Sequence, residues 1–438
     1  MSYTVLADKL KKNAYSLGWI FLLMAIFLRI ISDIVKGYDR ESWQITEWLI
    51  NYQGGFVRRG LPGEIIYQLS TLLDCSPYAI IIILSLLIYI VTVSIMVRLF
   101  KRSGFRLLPL LSPLLLGMPV FSHFWVRKDV FLILIFIGCL YLLRSGFRGR
   151  LFILNLLICI AILSHESFTF WGLGGIYILL VGQDKSLRLH TFLVPALKLM
   201  PAWICMIFCF LHNGNAATVA VINGSWADKF FPYSNDQLDG ATAIDALAWT
   251  LSEGLHYSFS TFTTFSDGFI YAPLIWALTL FVFVMLMCTF VLIPQSTGNF
   301  LHGNISADKS FIRCFAIQGI LVIPLFILGL DYGRWMFLWG TSAVCIRLLV
   351  PERQALPAVQ KIPALSKFTR QAGERFIKSR LYNYINHIAH HSYMNIGILA
   401  LAIPHCAWSV HHYVLTMPLF QPVMAIKRIL VDKLMLCF

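Results

Sequence analysis

Charge is what this chain has least of. Only 13% of its 438 residues are charged, against about 25% in an ordinary soluble domain. That shortfall excludes a water-soluble fold. Acidic residues are the scarcer sign, with 21 Asp and Glu against 35 Lys and Arg. A net charge of +14 invites a nucleic-acid reading. In so apolar a chain it reads instead as loop charge plus a site for an anion, and no nucleic-acid partner is expected. No CxxC pair occurs among the ten cysteines, which excludes the metal or redox pairing that spacing signals. Cys139, Cys159, Cys205, Cys209 and Cys288 lie in apolar runs, where cysteine behaves as a small hydrophobe. HExxH is absent, because Phe168 and Thr169 follow "HES", so the zinc-protease motif is excluded. "HIAHH" (His387, His390, His391) has the spacing of one di-iron histidine box. Such sites need several boxes, and the other histidines are scattered, so the tract reads as part of a basic interfacial helix. No metal and no cofactor are expected. No internal repeat is visible, which argues against a transporter. No small-residue cleavage site closes the first apolar run, so that run reads as a signal anchor.

What is present is apolar length. The chain is 58% hydrophobic with a mean hydropathy of +0.74. A spanning helix needs roughly 20 apolar residues. Candidate spans lie at 15–36, 77–97, 107–124, 130–143, 151–164, 168–182, 191–211, 270–293, 314–330, 335–350 and 394–411. The expectation is an all-α, polytopic transmembrane helical bundle of about 11 spans. Its core is 1–350, with external loops 37–76 and 212–269. A basic cytoplasmic interfacial segment follows at 351–393, then a C-terminal span and tail at 394–438.

Loop charge orients the bundle. Lys9, Lys11 and Lys12, then Arg98, Lys101, Arg102 and Arg106, then Arg144, Arg148 and Arg150 fall on one side. Lys185, Arg188, Lys309, Arg313 and the basic 351–393 stretch fall there too. The positive-inside rule makes that side, and the N-terminus, cytoplasmic.

The opposite face breaks the rule. "NYQGGFVRRGLPGE" supplies Arg58 and Arg59; "HFWVRKDVF" supplies Arg127, Lys128 and Asp129; "LSHESFTFW" supplies His165 and Glu166; "LDYGRWMFLW" supplies Asp331 and Arg334. Ionisable groups at span ends are costly unless they pair or line a wet cavity. Several arginines together suit a phosphate or pyrophosphate. His165 or Glu166 could serve as a general base. Asp129 and Asp331 are expected to orient arginines, and Lys128 to bind substrate. Asp39, Glu41 and Glu47 in the first external loop offer an alternative acid. Asp228, Asp236, Asp239, Glu253 and His256 are further candidates in 212–269. The implied substrate is an amphiphilic lipid phosphate in the bilayer.

The layout, with "VRKDVFLILIF" and "SHESFTFW", resembles the polysaccharide polymerases and lipid-linked-sugar glycosyltransferases, including the O-antigen polymerase and the EpsG-like exopolysaccharide group. The resemblance covers about the first 340 residues in layout and only short stretches in sequence. Glu166 directly after the histidine departs from the EpsG-like pattern. The resemblance implies a GT-C-like architecture in a bacterial inner membrane, acting in O-antigen, capsule or exopolysaccharide synthesis. It implies transfer of a glycan from a polyprenyl-diphosphate carrier to another lipid-linked repeat unit, with a chain-length regulator as partner.

Overall fold

The computed structural model describes residues 3–182, 189–233, 242–264, 272–293, 309–350, 367, 371, 374–390, 394, 397–406 and 410–434. Every regular element among these residues is a helix, and no strand occurs among them. Three helices are long and apolar enough to cross a membrane: Tyr15–Lys36 within α1 (Tyr3–Lys36), α4 (Pro77–Arg102) and Phe311–Leu328 within α15 (Lys309–Leu328). A fourth would be α10 (Leu189–Lys198) with α11 (Met200–Leu211), which meet at a 69° bend. The membrane character is therefore carried by a few long helices, with shorter apolar ones between them. Among the shorter ones are α8 (Arg150–Ser164) and the stretch from a π-helical turn (Thr169–Leu173) into α9 (Gly174–Gly182).

Two expected spans are not continuous helices. The 107–124 run forms only α5 (Leu108–Leu111) and α6 (Gly117–Phe121). Pro109, Pro113 and Pro119 remove backbone donors there, which stops one long helix from forming. Leu110, Leu111, Leu114, Leu115 and Leu116 are all at most 1% exposed, so the irregular backbone is wrapped by protein, where a membrane protein can accommodate it. The 394–411 run likewise loses helical form at 401–406. There the chain reaches α16 (Tyr332–Leu349), where the Gly333 amide donates to the His405 carbonyl at 3.0 Å. A methyl at Gly333 would lie 2.1 Å from the Pro404 carbonyl oxygen, so only glycine permits this approach.

α16 is the axis of the molecule. It is buried along nearly its whole length and packs against α15, α7 (Asp129–Arg144) and α14 (Ala272–Thr289). The loops separate to two ends. At one end the Arg106 amide donates to the Ile293 carbonyl at 3.0 Å, and the Leu107 amide to the Tyr15 hydroxyl at 2.5 Å. At the other, loops 37–76 and 212–269 meet. The Arg58 amide donates to the His212 carbonyl at 3.0 Å, and Trp226 Nε1 to the Leu49 carbonyl at 2.8 Å. Each of these contacts joins residues that the charge pattern assigns to one side. Within the basic 351–393 segment, α17 (Arg380–His390) packs on α14, burying Tyr382 and Ala389 and exposing Leu381 and Tyr384. Residues 351–366 and His391 lie outside the described residues.

Candidate active site

A short helix, α2 (Trp43–Leu49), is tucked beneath the second end of the bundle and carries Glu47 at 0% exposure. The chain then turns through 50–59 into α3 (Gly60–Leu73). α2 and α3 can lie this close because Gly63 has no side chain; a methyl there would sit 1.9 Å from the Ile50 carbonyl oxygen. Arg59 ends the turn in the left-handed region at φ 65°, a conformation a non-glycine residue holds only when its surroundings enforce it. Lys128 contacts this turn. Its fully buried Nζ donates to the Arg59 and Ser164 carbonyls, both at 3.1 Å. It thereby ties the arginine turn to the end of α8, where His165 leaves the helix in extended conformation.

Two charge clusters result. In the inner one, Glu47 accepts from Arg127 Nε at 3.0 Å and Arg334 at 3.4 Å, and pairs with His165 Nε2 at 3.1 Å. Arg334 also donates to Asp129 at 2.8 and 3.1 Å and pairs with Asp331, which accepts from Arg127 at 3.2 Å. Three carboxylates thus surround two guanidiniums. Burial pushes the Glu47 carboxyl up, but Arg127, Arg334 and His165 override it and hold the group well below the usual range. Burial likewise opposes ionisation of Asp331, and Arg127 and Arg334 bring it down to about 2. The Ser167 amide donates to His165 Nδ1 at 3.2 Å, so the ring proton sits on Nε2, facing Glu47. Burial, with Arg59 nearby, pushes His165 below its ordinary value and keeps it neutral.

The outer cluster has the opposite balance. Glu166 accepts from Arg59 Nε at 2.7 Å, takes a second bond from the same guanidinium, and lies 3.4 Å from Arg58. Two guanidiniums face one carboxylate, and Arg58 Nε is buried with no hydrogen-bond partner among the described residues. Burial raises Glu166, but Arg59 and Arg58 override it and hold the carboxylate ionised. This pair has spare capacity for an anion; the inner pair has none.

Both clusters open on a cavity of about 690 Å³. Arg58, Arg59, Arg127, His165, Glu166, Asp331 and Arg334 all line it. Trp43, Trp249 and Tyr257 form an aromatic flank, with ring centroids 6.4 Å apart for the tryptophans and 5.0 Å for Trp249 and Tyr257. Phe170, Phe210, Trp276, Leu325 and Leu328 form an apolar flank. Lys128 and Asp129 are not in the lining. Both are buried, at 0% and 1% exposure. Lys128, expected to bind substrate, ties two loops together behind the lining, and Asp129 holds Arg334. Asp228, Glu253 and His256 are exposed and away from the cavity lining, and Asp236 and Asp239 lie outside the described residues.

Glu47 and His405 are the residues that sequence reasoning undervalued. His405 lines the cavity from the irregular 401–406 segment. Asp331, His405 and Cys406 place donor atoms within 4.8 Å of one another. The guanidiniums of Arg127 and Arg334 already face Asp331, and their charge would repel a cation there, so the donor set does not suit a metal. Comparison of the chain with protein-family models, with curated proteins and with solved structures finds no match in any of the three.

Proposed function

We propose that the protein is a membrane glycosyltransferase that moves a glycan from a polyprenyl-diphosphate carrier to the terminal sugar hydroxyl of another lipid-linked repeat unit. One observation carries this reading. A guanidinium pair with one positive charge in excess faces a cavity with both aromatic and aliphatic flanks. Such a site suits an amphiphile: diphosphate on Arg58 and Arg59, sugars on Trp43, Trp249 and Tyr257, and prenyl chain along Leu325 and Leu328. The guanidiniums stabilise charge on the departing diphosphate, and no cofactor is called for. His165 and Glu166 are the groups within reach to take the acceptor proton. Polymerisation of O-antigen, capsule or exopolysaccharide is the process this reaction serves, with a chain-length regulator as partner. The finer architecture belongs to the same proposal: about 11 spans, a GT-C-like arrangement, a bacterial inner membrane, and a cytoplasmic N-terminus with the cavity on the external face.

The alternative donor, a polyprenyl-monophosphate sugar, would call on an acid in the first external loop. Glu47 is sealed behind Arg127 and His165, and none of Asp39, Glu41 and Glu47 is part of the cavity lining, which favours the diphosphate reading. The test is replacement of Arg58 and Arg59 by glutamine, read as polymer ladders on a gel from cells carrying the protein. Loss of ladders with normal membrane insertion is expected; normal ladders in both variants overturn the reading.

A further inference from the structure

Glu166 occupies the place that a substrate phosphate should take. Its two oxygens satisfy Arg59 through a two-point fork and reach toward Arg58, which is how a guanidinium holds a phosphate. The side chain is 11% exposed and faces the cavity. Among the described residues, the other acceptor seen by the Arg58 guanidinium is the Ala246 carbonyl at 3.5 Å. His165, the alternative base, has both ring nitrogens occupied, by Glu47 and by the Ser167 amide.

The geometry points to an exchange in which the donor's diphosphate displaces Glu166 from Arg58 and Arg59, and the carboxylate so released becomes the base for the acceptor hydroxyl. The inference rests on the glycosyltransferase reading above. While paired, Glu166 is a poor proton acceptor. Once its guanidiniums turn to the diphosphate, it keeps its charge in a buried place, and its affinity for a proton rises. The groups facing it are then Arg58 and Arg59 from the turn before α3, His165 beside it, Lys128 before α7 and Cys209 on α11. The step balances. The acceptor O–H proton passes to Glu166, the acceptor oxygen bonds the anomeric carbon, and the carbon–oxygen bond to the diphosphate breaks. The polyprenyl diphosphate leaves with that electron pair, and its charge stays on the arginines. An empty site cannot deprotonate water or a stray hydroxyl, because the base is switched on only by the donor. His165 is a positioning residue that fixes the loop through Glu47.

The experiment compares undecaprenyl diphosphate binding, in detergent, with polymer formation in cells, for the wild type, Glu166→Asp and Glu166→Gln. Undecaprenol is the uncharged control. Exchange requires opposite orders. Removing the competitor tightens diphosphate binding by about tenfold or more in Glu166→Gln and by less in Glu166→Asp. Polymer falls in the same sequence and is lost in Glu166→Gln. Binding that weakens or stays level in these variants, or polymer that survives in Glu166→Gln, overturns the exchange. If Glu166→Gln does not fold, Glu166→Asp alone decides by the same criterion. A wild type that does not distinguish undecaprenyl diphosphate from undecaprenol overturns the glycosyltransferase reading itself.

Discussion

At the scale of single residues, charge balance separates arginines that otherwise look alike. Arg127 and Arg334 are outnumbered by Glu47, Asp129 and Asp331, so their task is cohesion. Replacing Glu47 with glutamine leaves buried guanidiniums underpaired, which costs about 3–5 kcal/mol; a large drop in the thermal midpoint in detergent is the expected outcome. Lys128 makes a second prediction. Burial pushes its amine down to about 7, while the unfolded chain holds it near ~10.4. Between these values the unfolded state binds more protons, so stability should rise with pH through that window. Below the lower value the amine is charged in both states and the contribution is flat. Lys128→Met should abolish that rise. It should also lower stability by about 1–3 kcal/mol for each carbonyl left unsatisfied; thermal melts at a series of pH values check both. The arginines of the cavity were legible in the sequence because the loop charges set them against the positive-inside pattern. The burial of Lys128 was not legible, because a basic run does not reveal which way a side chain points. Glu47 was undervalued because its partner Arg334 lies 287 residues away in the chain.

At the scale of elements, two glycines set how closely backbones approach around the cavity. Gly63→Ala forces α3 away from the Ile50 carbonyl and so moves the turn bearing Arg58 and Arg59. Gly333→Ala pushes the 401–406 segment off α16. Both variants should insert into membranes yet lose most polymer, since catalysis falls steeply when groups shift by about 1 Å. Gly224→Ala, which meets nothing within 4 Å, should leave polymer ladders unchanged on the same gels. The long apolar helices were legible from hydropathy alone. The broken ones at 107–124 and 394–411 were not, because buried irregular backbone has the same apolar composition as a span. The prolines at 109, 113 and 119 were the available signal in the first case. Pro404 was the available signal in the second, whose broken form also carries the carbonyl contact with Gly333.

At the scale of the whole molecule, contacts among the described residues join loops that the charge pattern puts on one side, and the sidedness can be measured. In a cysteine-free background, Phe56→Cys should react with a membrane-impermeant maleimide in intact cells. Ser103→Cys should react only after permeabilisation. The reverse pattern would invert the proposed orientation. The same arrangement has a consequence in time. α2, the Arg58–Arg59 turn, Glu166 and Arg334 all precede residue 335, but His405 and Cys406 complete the cavity wall. During synthesis the ribosome therefore releases the charged constellation into the membrane well before the wall behind it exists. Until residue 406 has emerged and docked on Gly333, the pocket stands unwalled on that side. The order of translation itself delays the moment at which a growing chain can hold a substrate.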